Sequence, residues 1–313
     1  MPSVEQKQGT EGVFVTLADL IALRFAAKKL HITNRSRALN SLAGPNKSNF
    51  RGRGIDFEEV RRYEPGDDIR TIDWRVTARS GNPHTKLFRE ERERPVLIFV
   101  DQCNGMYFGS STRFKSVLAA NIAATIAWAA LDQGERVGGF VFNQNGHKDI
   151  RPQRSKRSVL MLLSEIVRYN NALPVTTEYI NWSLGDALLN LRRIARPGTS
   201  IFLISDFLGS DSDYSKENLF KLSQHNEVTA ILCTDPLEHV LPIAGRYAVT
   251  DGLSNSNLDT GNEVIRLAYE KSAADRIKNL DKTMSKLGIP LLRATTNKSE
   301  LTLLQSFYGK QKK

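Results

Sequence analysis

The run Pro95-Val-Leu-Ile-Phe-Val100 is continuously apolar and ends on Asp101; a turn through Thr112 follows, and then a long apolar stretch from Arg113 to Asp132. Six apolar residues in a row with no polar alternation describe a strand buried on both faces. The stretch after it places Phe114, Val117, Leu118, Ile122, Ile126, Trp128 and Leu131 among seven alanines. A helix apolar on nearly all sides must lie centrally and be covered. Ser111 or Thr112 is the expected N-cap, and Gly134 the stop.

Outward from this strand and helix the alternation continues. Strands are expected at Arg136–Phe142, Thr199–Ile204, Val228–Cys233 and Ile289–Leu292. Helices are expected at Ser155–Tyr169, Ser183–Ile194, Ser215–Gln224, Glu270–Leu287 and Lys298–Tyr308. Residues 245–268 read as a hairpin around an Asn/Asp/Gly-rich stretch. Such alternation predicts an α/β, doubly wound, mostly parallel sheet with helices on both faces. Upstream, Leu17 to His31 reads as one amphipathic helix, with Phe25 on its apolar face.

Residues 51–94 differ. They are dense in charge, with turn signals at Pro65-Gly66 and Gly81-Asn82-Pro83, and carry too few apolar residues for a core. The expected organisation is therefore an N-terminal part, residues 1–94, docked on an α/β domain of residues 95–313. Trp74, Phe57, Tyr63, Ile72 and Phe88 are the expected buried anchors of that docking.

The bulk composition, 40% hydrophobic and 25% charged, is that of a globular protein. The formal charge of +10 is uneven: +5 over residues 1–94, −1 over 95–262 and +6 over 263–313. Basic flanks attract nucleic acid, anionic lipid or acidic protein faces alike. Cys103 and Cys233 are the only cysteines, without metal-ligand spacing, and read as free thiols of a reducing compartment. The apolar run Ser116–Leu131 is shorter than the roughly 20 residues of a membrane span, and the N-terminus has no signal pattern. A soluble cytoplasmic protein is expected.

In an open parallel sheet, ligands bind beyond the carboxyl ends of the strands. Asp101 and Asp206 fall there, each after an apolar run. Apolar run, Asp, short loop and long apolar helix resembles a von Willebrand factor A domain. A closer resemblance lies in Arg51-Gly-Arg-Gly-Ile-Asp-Phe57, Arg62-Tyr-Glu-Pro-Gly-Asp-Asp-Ile-Arg70, Ile72-Asp-Trp74 and Ala78-Arg79. With Lys86-Leu-Phe-Arg-Glu90, Glu91-Arg92 and Leu203-Ile-Ser-Asp-Phe207, these blocks resemble the signature of domain of unknown function 58, over roughly residues 45–250.

The von Willebrand resemblance implies a Mg²⁺ site made of an Asp-x-Ser-x-Ser loop, a Thr and a further Asp. Here the loop reads Asp101-Gln102-Cys103-Asn104-Gly105, and Trp182 stands near the place of the Thr, before Ser183. Cys103 is a soft ligand and Gly105 offers no side-chain oxygen. The metal set Asp101, Cys103, Gly105, Ser183 and Asp206 is thus expected to be degenerate, with Ser183 and Asn104 as substitute oxygen donors. No cofactor is expected, Mg²⁺ being the one ion the pattern would admit. Without metal, Asp101 and Asp206 are expected to cap helices or accept backbone N–H groups.

The family resemblance also implies an adaptor role beside a MoxR-type AAA+ ATPase acting on a client protein. The signature residues Arg51, Arg53, Arg62, Tyr63, Pro65, Gly66, Asp67, Asp68, Arg70, Asp73, Trp74 and Arg79 are its candidate docking face, since Arg forks pair with carboxylates. The bland alternative is an ion-pair network of Asp67, Asp68 and Asp73 with Arg62, Arg70, Arg75 and Arg79. The basic run Lys148, Arg151, Arg154, Lys156 and Arg157 reads as a solvated loop. No catalytic residue is assigned: the five histidines lack metal or nucleophile spacing, and no phosphate loop is present. The expected function is a non-enzymatic interaction module. A nucleic-acid-binding protein using the basic flanks and a metal-dependent hydrolase using Asp101 and Asp206 are the alternatives.

Overall fold

The computed structural model describes residues 12–32, 56–64, 67, 69–89, 95–172, 182–242, 244–250 and 255–309. The chain begins with α1 (Leu17–Ala22) and α2 (Arg24–Ala27), then β1 (Asp56–Arg62), α3 (Trp74–Ser80) and β2 (His84–Arg89). Next come β3 (Pro95–Asp101), α4 (Lys115–Asp132), β4 (Arg136–Asn143), β5 (Gly146–Gln153), α5 (Lys156–Asn171) and α6 (Leu184–Ile194). The remainder is β6 (Ser200–Ser205), α7 (Asp213–His225), β7 (Glu227–Thr234), β8 (Arg246–Thr250), β9 (Asn255–Asp259), α8 (Glu263–Lys286), β10 (Leu291–Thr295) and α9 (Glu300–Tyr308). These elements form two compact units, residues 1–46 with 95–313, and residues 47–94. The division at 94/95 is the expected one, but residues 1–46, with α1 and α2, belong to the α/β unit and not with residues 47–94.

The larger unit holds a six-stranded sheet of order β10-β7-β6-β3-β4-β5. All its neighbours are parallel except β5, which runs antiparallel to β4 at the edge. Renumbered within the sheet, this is the doubly wound order 3-2-1-4-5-6 with an antiparallel third strand. The expected α/β class, a mostly parallel sheet with helices on both faces, is present. Strand β3 feeds two cores by simple alternation. Val96, Ile98 and Val100 pack with α4, α5 and α9 residues, while Leu97 and Phe99 pack with α6, α7 and α8 residues.

Helix α4 is buried from Lys115 to Ala130 with the exception of Asn121, as its alanine-rich, unpatterned surface requires. It receives α1 and α2 on one side: Trp128 Nε1 donates to Leu20 O at 3.0 Å, and Leu20, Ala27 and Leu30 enter the core. Gly139 on β4 is needed for close approach, since a Cβ there would lie 2.5 Å from Leu162 Cδ1 on α5.

Several expectations need correction. The single helix expected over 17–31 is two short ones, and Phe25 lies 77% exposed. Neither Ser111 nor Thr112 caps α4. Lys115 N donates to Phe108 O instead, and Thr112 Oγ1 donates to Thr296 O. The basic run is no loop: Lys148 and Arg151 lie on β5, and Lys156 and Arg157 open α5. Its strand character is hidden because only Ile150 of β5 is buried. Helix α8 starts at Glu263, seven residues before the expected Glu270, and its added turns carry Val264, Ile265, Leu267 and Tyr269 exposed. A hairpin is present as β8 and β9, but it ends at Asp259, and residues 263–268 of the expected hairpin belong to α8.

In the smaller unit, β1 and β2 pair antiparallel with Phe57 opposite Phe88 and Arg62 opposite His84. Asp73 caps α3 by accepting from Arg75 N and Val76 N at 3.0 and 3.2 Å. Gly81, at φ +72°, ends α3 in the left-handed conformation that glycine favours. Trp74, expected as a buried anchor, is 68% exposed in the first turn of this short helix.

These burials order two substitutions. Gly139→Ala should destabilise the α/β unit by about 1–3 kcal/mol through overpacking. Trp74→Ala should change stability by no more than about 0.5 kcal/mol, as for other exposed positions. Urea unfolding of both variants checks the order, and a larger loss for Trp74→Ala would contradict the assigned exposure.

Candidate functional site

Strands β3, β6 and β7 are adjacent and parallel, so Asp101, Ser205-Asp206 and Thr234-Asp235 end side by side on one edge of the sheet. Asp101 is almost completely buried. Its Oδ2 accepts from Ser205 Oγ at 2.6 Å and its Oδ1 from Cys103 N at 2.9 Å. Ser205 Oγ in turn accepts from Phe207 N at 2.9 Å. Asp206 Oδ1 accepts from Leu208 N at 3.0 Å. Between these two N–H groups, Phe207 takes φ +55°, a left-handed conformation that a bulky residue holds at a cost of order 1–3 kcal/mol. Of the two roles expected for these aspartates, capping an α-helix is not taken up; each instead accepts a backbone N–H group and braces the turn that follows its own strand.

The cation at this site belongs to the chain. Lys115, the first residue of α4, is 1% exposed, and its Nζ donates to Asp206 Oδ2 at 2.9 Å and to Glu238 Oε1 at 2.6 Å. Glu238 is itself held by a capping box: its Oε2 accepts from Asp235 N at 3.0 Å. Asp235 gathers three further donors, Ser110 N at 2.9 Å, Leu237 N at 3.0 Å and Thr296 Oγ1 at 2.5 Å. One connected network therefore joins the loops after β3, β6, β7 and β10.

The charges follow from this geometry. Burial, and then the neighbouring Asp206 charge, push the Asp101 carboxyl up to about 6. Burial, and then Asp101, push the Cys103 thiol well up. Burial alone would lower the Lys115 ammonium, but Asp206 and Glu238 outweigh it and raise it. Burial would likewise raise Asp235, but the bonds from Ser110 and Thr296 hold it below the usual carboxylate range.

These residues do not fit a hard divalent ion, which needs six or more oxygens at about 2.0–2.6 Å. Asp206 Oδ2 already carries the ammonium. Cys103 offers a thiol kept protonated. A Cβ on Gly105 would lie 2.9 Å from Asp206 Oδ2, so a serine there would need the carboxylate to move. Ser183 is engaged in the capping box of α6, donating to Asp186 Oδ2 at 2.6 Å and accepting from Asp186 N at 3.2 Å. Asn104 Oδ1 is buried without a hydrogen-bond partner among the described residues, but it is a single oxygen. Among the described residues, no group of three or more His, Cys, Asp or Glu side chains has the placement to hold a metal ion. Trp182 stacks on His147, which stacks on Phe140, at centroid distances of 4.8 and 4.6 Å.

Lys115 and Glu238 are the residues that sequence reasoning missed. A lysine opening an otherwise apolar helix runs against the helix dipole, and that anomaly is the one signal available. The candidate docking residues sit on the smaller unit. Arg62 and Arg79 are exposed, Tyr63 is half-buried, Asp73 caps α3, and Asp67 pairs at 2.7 Å with Arg61, an arginine outside the expected network. Arg51, Arg53, Pro65, Gly66, Asp68 and the Arg70 side chain lie outside the described residues.

A family model described as protein of unknown function DUF58 matches residues 59–279. Uncharacterised proteins of Mycobacterium bovis (Mb1516) and Mycobacterium tuberculosis (Rv1480) are each 27% identical over 292 residues, spanning 93% of this chain and 90% of their own. Among solved structures, the conserved hypothetical protein BatB of Bacteroides thetaiotaomicron aligns with 15% identity over 62% of this chain and 98% of its own, TM-score 0.36. An aerotolerance-related membrane protein of Bacteroides fragilis aligns with 15% identity over 68% and 96%, TM-score 0.42.

Two outcomes test the site. Lys115→Met leaves two carboxylates facing each other without their cation and should cost about 3–5 kcal/mol. Adding Asp206→Asn should recover much of that loss; a double variant no better than the single one would contradict the pairing. For Asp101, a carboxyl raised from 3.8 to about 6 binds its proton more tightly in the folded state, so its charge weighs against folding as pH rises through that window. Relative to the parent chain, Asp101→Asn should therefore gain stability between about pH 4 and pH 7, by up to roughly 3 kcal/mol at 1.36 per pKa unit. Parallel stability curves would refute the assignment.

Proposed function

The chain belongs to the DUF58 family, and on that premise we propose that it is a non-enzymatic protein-interaction module, an adaptor beside a MoxR-type AAA+ ATPase in the assembly or maturation of a client protein. The observation that carries this reading is the ammonium of Lys115 between Asp206 and Glu238. It fills the strand-end position where this architecture would take a ligand or a metal. A metal-dependent hydrolase needs an open coordination position and a base within reach of a bound water. Here Asp101 and Asp206 are engaged with Ser205, Cys103, Leu208 and Lys115, which favours a binding role over catalysis.

The ATPase partner rests on the family resemblance of the 51–94 signature. On this reading Arg62, Trp74 and Arg79, all exposed on the smaller unit, are part of the face that the partner meets, and a vestigial metal site leaves recognition to side chains. The reading places the protein in the cytoplasm; among the described residues, no helix is long and apolar enough to cross a membrane.

Affinity purification of the chain from its native cell, with and without a chelator, tests the proposal. The expected result is co-purification of an AAA+ ATPase that survives chelation and is lost on Arg62→Glu with Trp74→Ala. Release by the chelator would establish metal-bridged binding, and turnover of a substrate by the purified chain would overturn the non-enzymatic reading.

A further inference from the structure

Helix α8 is 24 residues long, yet Leu280 and Met284 are its only buried residues. Between it and the loop after β6 runs an open groove of about 980 Å³. Its lining carries five cations, Lys216, Lys271, Arg276, Lys282 and Lys286, against two carboxylates, Asp211 and Asp275. Its apolar contribution comes from Leu208, 63% exposed, with Leu280 and Leu287. Leu208 is no loose loop tip: its N–H is bonded to Asp206 Oδ1, and Asp206 is bonded to Lys115. The strand-end network therefore fixes one wall of the groove.

We propose that this groove binds an acidic peptide segment of a protein partner, with an apolar side chain seated at Leu208 and carboxylates meeting the α8 cations. Resting on the interaction-module reading, the proposal adds the chemistry of what is bound. The excess of positive charge selects an anionic occupant, and the exposed Leu208 selects one with an apolar anchor. Nucleic acid fits less well. Single strands are held by bases stacked on aromatic rings, and the one aromatic residue in the lining, Phe207, is only 4% exposed. Asp211 and Asp275 would also repel a phosphate backbone, whereas a peptide can space its carboxylates around them.

The test is fluorescence anisotropy of the full chain with a labelled dodecapeptide of repeating Glu-Glu-Leu. Binding is expected at low salt and should weaken as ionic strength rises, since exposed charges are screened within about 8–10 Å at physiological salt. The triple variant K271E/R276E/K282E should weaken binding by at least about tenfold, equivalent to 1.4 kcal/mol, with unchanged circular dichroism. Leu208→Asp should weaken it too. The control K148E/R151E, exposed on the edge strand β5, should leave affinity within about twofold. Equal effects of the two charge reversals, or no effect of either, would overturn the assignment. So would an oligothymidylate twelve-mer that binds more tightly through the same three cations. If the peptide fails to bind while the native partner is retained by K271E/R276E/K282E, the groove proposal falls and the interaction module stands. If the unmodified chain retains no partner in affinity purification, the module reading falls even where the peptide binds.

Discussion

Burying an ammonium is unfavourable by several kcal/mol unless carboxylates with good geometry surround it, and Lys115 meets that condition only through residues 91 and 123 positions away. Asp206 supplies one oxygen and Glu238 the other, so the loops after β6 and β7 must both close on the start of α4. Everything else at this end of the sheet is adjusted to that demand. Phe207 accepts a left-handed backbone, Glu238 is pinned by Asp235, and Gly105 leaves room for the Asp206 carboxylate. The resulting network is rigid and internally neutralised in part, with Asp101 beside it as the carboxyl that burial makes reluctant to ionise.

That arrangement changes what the strand ends can do. The cation at the strand ends is the chain's own, and its charge is turned inward to Asp206 and Glu238. On the proposed interaction role, recognition falls to exposed surfaces such as the α8 groove with its surplus of lysine and arginine. The network still matters to them, because Leu208 is held through Asp206.

The alternation of strands and helices was legible because the core strands are continuous apolar runs, α4 is apolar nearly all round, and helices such as α5 and α6 carry an apolar stripe. Strand β5 escaped notice since an edge strand needs one apolar residue, Ile150, and fills the rest with charge. The first turns of α8 escaped for a different reason: Val264, Ile265 and Leu267 form a short apolar, partly β-branched run that reads as a strand of the hairpin, although in the helix they lie exposed. At the site, Asp101 and Asp206 were legible as carboxylates ending apolar runs. Their real partners were not, because pairing across loops far apart in sequence leaves no spacing pattern. Trp74 misled in the opposite sense, a large apolar ring lying exposed on α3.

The central claim, that a charged Lys115 replaces an external cation, is tested most directly by nitrogen-15 NMR of the lysine ammonium groups followed through a pH titration. The account predicts one resonance, absent in Lys115→Met, whose ammonium is protected from solvent exchange and keeps its proton above the ordinary lysine value of 10.5. A Lys115 ammonium that exchanges freely and titrates at or below that value would contradict it.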